Sequence, residues 1–227
     1  GVDLAVSCLA YDARARWFLG FPDLALQRAV EAVERSQTSP VSLSVAQAIG
    51  MLAVLYQTLG DIENTREWTE RTIAYSLEHG HPYWAALGNI VRGWLKARSG
   101  EPAAGCALMD RSLAAYQATG ARLGMSWFLL LKAEARQAAG ERAQALEILA
   151  EARAHVKATG EAYYEAEILR SIGALMLARE GLDAAPQAER WFQRALGVAT
   201  RQHARGWQLR AATDLARLWI AQDKCDA

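Results

Sequence analysis

Glycine stands at positions 20, 60, 100 and 140, a spacing of 40 residues, and the next punctuation falls at Gly181. A second series, Gly80, Gly120 and Gly160, interleaves at the half period. No other feature constrains this chain as strongly, because self-similarity at such a period is the mark of an array of helical or strand-built units. Each segment between glycines is about 18 residues of Ala, Leu, Arg, Glu and Gln, with Pro confined to segment ends. That composition forms helices, and those ends stop them. The spacing therefore predicts helix, turn, helix, turn, in units 1–40, 41–80, 81–120, 121–160 and 161–205, with a terminal helix over 206–222, all in one repeat domain, 1–227.

The turns themselves repeat: Gly20-Phe-Pro-Asp, Gly60-Asp-Ile-Glu, Gly100-Glu-Pro-Ala, Gly140-Glu-Arg-Ala and Gly181-Leu-Asp-Ala. Glycine permits the left-handed conformation that ends one helix, and Pro or an acidic residue suits the first turn of the next. Small residues recur at fixed offsets from the turn. Ala13, Ala53, Gly93, Ala133 and Gly173 precede it, while Ala25, Thr65, Gly105 and Ala145, then Ala32, Thr72, Ser112 and Ala152, follow it. In the fifth unit an insertion delays the latter pair to Ala188 and Ala195. Small side chains at these points let two antiparallel helices approach while Leu, Ile, Trp and Phe fill the space beside them.

This pattern resembles the tetratricopeptide repeat, with its period lengthened to 40 residues and only Tyr56, in the second unit, near the aromatic consensus of the first helix. HEAT and armadillo repeats share the longer period and stay open as the structural alternative. The runs Glu165 to Leu175, Ala188 to Ala199 and Leu209 to Trp219 are similar to the C-terminal helical region of large bacterial signalling ATPases, which carry such repeats behind an ATPase module fused to an adenylate or guanylate cyclase or to a DNA-binding activator domain. The resemblance implies an all-α fold, a right-handed α-α superhelix of five tetratricopeptide-like hairpins plus a final helix. It also implies a regulatory role. No GxxxxGK[ST] phosphate loop and no cyclase or DNA-binding signature is present in these residues. Residue 1 is Gly rather than Met, so the chain is expected to be a piece of something longer.

Charge and composition narrow the function classes. With 25 basic and 25 acidic residues the net charge is zero, without the basic footprint of direct nucleic-acid binding. Runs such as Trp127 to Leu131 fall well short of a membrane span. Cys8, Cys106 and Cys225 are far apart, giving neither a disulfide framework nor a CxxC site, and a reducing cytoplasm is the expected compartment. His79 and His81 flank Gly80 in a turn, where helix capping suits them better than a metal. With no GxSxG, HExxH or nucleophilic cysteine context, neither catalysis nor a cofactor is expected.

In a superhelix of this kind the first helices of the hairpins line a concave groove that holds a peptide or a partner helix. Mapping groove positions onto this register selects Arg14, Trp17, Gln47, Gln57, Trp94, Trp127, Glu134, Gln137, Glu167, Arg170, Arg210 and Arg217. Arg and aromatic side chains carry binding energy at interfaces. Each has a structural alternative: Trp94 and Trp127 as packing between units, and Glu167 with Arg170 as a pair three residues apart on one helix. The terminal helix adds another open point, since Ala216 sits at a close-packing position and Leu215, Leu218 and Trp219 lack a following partner helix; the alternative is that this lone helix is itself the cap of the array. The expected function is a non-catalytic protein-interaction scaffold, the sensor or regulatory arm of a signalling ATPase. Its partner would be a protein or peptide, including the ATPase or cyclase part of its own parent chain. The alternative is a sensor domain holding a small inducer in the groove.

Overall fold

The computed structural model describes residues 1–224, so Cys225 lies outside the described residues. Among the described residues there is no strand: the fold is all-α, built of the helical hairpins that the glycine spacing predicts. The chain divides into two compact units, Gly1–Arg122 and a second beginning at Leu123, where one repeat domain over 1–227 is expected from sequence.

The first unit holds α1 (Leu4–Phe18), α2 (Pro22–Gln37), α3 (Ser42–Leu59), α4 (Ile62–Glu78), α5 (Pro82–Arg98) and α6 (Pro102–Ala118). Successive helices pair as hairpins α1/α2, α3/α4 and α5/α6, and the first helices α1, α3 and α5 lie side by side. The caps follow the turn chemistry. Gly60 closes α3 at φ +82°, and the Asp61 side chain then accepts from the Asn64 backbone N–H at the start of α4. Pro22, Pro82 and Pro102 open their helices in the first turn, where no N–H is needed.

The small positions sit where the backbones come closest. In the α5/α6 hairpin a Cβ on Gly105 would lie 2.5 Å from the Gly93 carbonyl oxygen, and one on Gly93 would lie 2.8 Å from that of Gly105. Ala13, Ala25, Ala32, Ala53, Thr65 and Thr72 are likewise buried. Gly50 makes room of another kind, for the Trp84 indole, whose Cε3 would stand 2.5 Å from an added Cβ. α3 is long and apolar enough to cross a membrane by length and composition alone, with a mean hydropathy of 1.4, beyond what the short apolar runs suggest from sequence. It contacts α1, α2, α4 and α5 and is 61 % buried, and a helix walled in on all sides is apolar all round.

The second unit holds α7 (Met125–Ala138), α8 (Arg142–Thr159), α9 (Glu165–Glu180), a 3-10 turn Gly181–Ala184, α10 (Ala185–Arg201) and α11 (Arg205–Ala221). α7 pairs with α8 and α9 with α10, and α11 packs on both α9 and α10. The 3-10 turn is the insertion that delays Ala188 and Ala195 in sequence, and both are nonetheless fully buried. At α7 the chain starts from Gly124 in the left-handed region, and the Glu161 carboxylate accepts from the backbone N–H groups of Gly124 and Ser126, both at 2.8 Å. That tie fixes the start of α7 to the α8/α9 connection.

Two expectations about the last helix are corrected. Leu215 and Leu218 do have a partner: they are 5 % and 3 % exposed and share a core with Ala185, Ala188 and Phe192 of α10. Ala216 is exposed rather than at a close contact, because α11 turns Ala211, Leu215 and Leu218 inward instead. Trp219 lies at the rim, its indole N–H donating to Glu189 at 3.0 Å.

Candidate functional site

In the first unit the groove residues expected from sequence are mostly interior. Trp17 and Trp94 are 7 % and 3 % exposed, with Trp17 edge-on to Phe18 and the Arg98 guanidinium over the Trp94 ring. They are packing between helices, not anchors presented to a ligand, because a large ring fills the gap that the small positions leave. Gln47 is also buried and accepts from the Ser7 hydroxyl at 2.8 Å, joining α3 to α1. Arg14 is half-buried with its guanidinium 6.0 Å from the Phe18 ring centre, and Gln57 is half-buried.

In the second unit Trp127 is 3 % exposed and stacks on Tyr164, so it too belongs to the core. Glu134 is half-buried and Gln137 exposed on α7. The remaining candidates come together in one place. Glu167 of α9, 2 % exposed, receives two parallel hydrogen bonds from Arg170, Nε to Oε2 and Nη2 to Oε1, each at 2.8 Å. Arg210 of α11 donates to the same carboxylate at 3.0 Å, while Arg170 reaches Asp214 of α11 at 2.5 Å and Arg217 approaches Asp214 at 3.4 Å. Burial alone pushes the Glu167 carboxyl up, but Arg170 and Arg210 outweigh it and hold the group below the usual carboxylate range. Burial likewise opposes the charge on Arg170, and Glu167 and Asp214 more than restore it, raising its pKa. This network of two carboxylates and three guanidinium groups fixes α11 on α9. Three arginines that the sequence places in the groove are thus paired with carboxylates of α9 and α11.

The other side of α9 is different. Leu169 stands two positions from Glu167, about 200° round the helix, and so faces away from the network. With Glu165 it forms one wall of an open trough of about 580 Å³, whose other wall is α10: Arg190, Gln193, Arg194, Gly197, Val198 and Arg201. Those six positions follow the spacing of one helix face. Next to Arg190 in α10 is Trp191, whose ring centre lies 4.8 and 4.6 Å from the guanidinium carbons of Arg153, from α8, and Arg194. Among the described residues, none of Arg153, Arg190, Arg194 and Arg201 forms an ion pair with a carboxylate. The chain holds no acidic residue three or four positions either side of Arg190, Arg194 or Arg201, a signal legible in the amino-acid order alone.

Gly197 adds to this. Gly93, Gly105 and Gly173 are required by packing, since a Cβ there would meet a neighbour at 2.5 to 2.8 Å, whereas a Cβ on Gly197 would meet only the Arg201 guanidinium, at 3.7 Å. A glycine inside a helix costs about 0.5–1 kcal/mol against alanine, and among the described residues no packing contact requires this one. The effect is to keep the middle of the trough open.

Both histidines of the Gly80 turn are engaged within the fold: His79 stacks on Tyr75 with its Nδ1 3.0 Å from the Tyr75 carbonyl, and His81 Nε2 lies 3.0 Å from the Ser42 hydroxyl at the start of α3. Among the described residues no group of three His, Cys, Asp or Glu side chains is placed to hold a metal ion. No protein-family model matches the chain, and no curated protein matches it either.

Proposed function

We propose that this chain is a non-catalytic protein-binding scaffold, the sensor or regulatory arm of a larger bacterial signalling ATPase linked to a cyclase or a transcription regulator, and that the trough along α10 is where it takes a segment of another protein. The observation that carries this reading is the set of arginines lining the trough that, among the described residues, form no ion pair with a carboxylate. A guanidinium is the group best suited to recognising an external carboxylate or phosphate, and Arg and Trp are the side chains that dominate binding energy at interfaces. The groove face drawn from sequence supports it less, since its tryptophans are buried and its arginines of α9 and α11 are paired.

A photo-crosslinking side chain placed at Gln193, exposed in the trough, tests this in cells of the source organism, with the same group at the exposed Glu63 of α4 as the control. One protein, or another part of the parent chain, joined from position 193 and not from 63 is the expected result. Equal labelling from both positions would contradict the proposal. A small inducer is the second reading, favoured by a trough volume of about 580 Å³, within the range of about 300–1,000 Å³ typical of small-ligand pockets. A thermal shift with a small anionic metabolite, abolished by Arg194→Gln, would mark that outcome.

A further inference from the structure

We infer that the occupant of the trough is an acidic amphipathic helix, which lays an apolar side chain on Leu169 and Val198 and sets carboxylates against Arg190, Arg194 and Arg201. The inference rests on the reading above that the trough docks a protein segment, and adds the chemistry of that segment. Three features support it. Among the described residues the guanidinium groups form no ion pair with a carboxylate, so charge complementarity calls for an acidic occupant. They stand at intervals of four and seven residues along a single helix, a row of about 16 Å at 1.5 Å per residue, which one small anion does not span and three turns of helix do. Beneath them lie Leu169 and Val198, with Gly197 leaving clearance, which is what a helix laid in a groove needs for an apolar anchor.

Glu165 on the facing wall separates this site from one for a polyphosphate backbone. A nucleic acid would bring phosphates against that carboxylate, whereas a peptide can turn a neutral or basic side chain toward it. The zero net charge of the chain supplies no long-range attraction for a polyanion either.

The test is a fluorescence-polarisation titration of the full chain with a labelled 16-residue stapled helix. This probe carries Glu at positions i, i+4 and i+11 of one face and Leu between them. Its comparators are a scrambled peptide of the same composition, a 20-nucleotide single-stranded DNA and vesicles of phosphatidylcholine and phosphatidylserine at three to one. The patterned helix is expected to bind at least tenfold tighter than the scrambled one, and tighter than DNA or vesicles at physiological salt. Arg194→Glu with Arg201→Glu is expected to weaken it at least tenfold, and Gly197→Trp, which fills the trough, about fivefold or more. Neither variant should lower the melting temperature, because these side chains sit outside the core. Equal affinity for the scrambled peptide, preference for DNA or vesicles, or unchanged binding by the variants would overturn the inference. If the peptide fails while position 193 still crosslinks one protein, the occupant's chemistry is wrong and the docking site stands. If both fail, the docking reading falls with it.

Discussion

Two groups of arginines lie on opposite sides of α9, and their surroundings differ. Toward α11, Arg170, Arg210 and Arg217 meet Glu167 and Asp214, with Glu167 buried among them. Toward the trough, Arg190, Arg194 and Arg201 line a cleft with Leu169, Val198 and Glu165, Arg194 lies over the Trp191 indole, and among the described residues none of the three forms an ion pair with a carboxylate. The first group holds the fold. The second makes no such tie, and it is the group on which the proposed docking site is built.

The largest effect that would break this comparison is expected at Arg170. Arg170→Met removes the two parallel hydrogen bonds to Glu167 and the link to Asp214, leaving a buried carboxylate with Arg210 alone. Losing one partner of a buried pair costs about 3 kcal/mol or more, read as a lower denaturation midpoint in urea. Close in size is Gly105→Ala in the first unit. There the new methyl would meet the Gly93 carbonyl oxygen at 2.5 Å and the Ala97 nitrogen at 2.6 Å, forcing the α5 and α6 backbones apart for about 2 kcal/mol.

The ion network also sets an acid limit. The Glu167 carboxyl is depressed in the folded chain, so its contribution is present above the unfolded carboxylate value of about 4.3 and is lost as pH falls through the lower folded value. Below pH of about 4 the wild type is expected to lose stability more steeply than Glu167→Gln, followed by circular dichroism; parallel curves would contradict it. Smaller and opposite in sign is Gly197→Ala, expected to raise stability by about 0.5–1 kcal/mol, since the added methyl fits and the helix gains propensity. Smallest of all, Arg194→Gln should change the midpoint by less than about 0.5 kcal/mol.

Much of the fold is legible in the amino-acid order because it rests on steric necessity. A helix turning back at Gly60 or Gly160 needs a residue that accepts positive φ, and helices in close contact need the small residues that recur at Ala53, Gly93 and Gly105. Those demands fall on single residues at fixed intervals, so they print onto sequence. The candidate site is less legible. Groove positions assigned by register catch Glu167, Arg170 and Arg210, but register does not say whether a side chain faces solvent or a neighbour. It therefore includes tryptophans at 17, 94 and 127 that the fold buries, the packing alternative weighed for Trp94 and Trp127. Asp214, the carboxylate that completes the network, lies 44 residues from Arg170 and is joined to it only by folding. The trough escapes a register argument because Arg190, Arg194 and Arg201 resemble the solvated stripe of any amphipathic helix. What sets them apart is the absence of acidic neighbours at helical spacing together with a glycine that packing does not need.

The most direct test reverses one charge on each side of α9. Urea denaturation of Arg170→Glu and Arg194→Glu, compared with the parent chain, separates a side chain that holds the fold from one that the fold does not need. Arg170→Glu is expected to unfold at much lower urea, because it sets a third carboxylate beside Glu167 and Asp214. Arg194→Glu should unfold at the parent's midpoint or slightly above it, since it relieves repulsion among the trough arginines. Equal losses in the two variants would contradict the account.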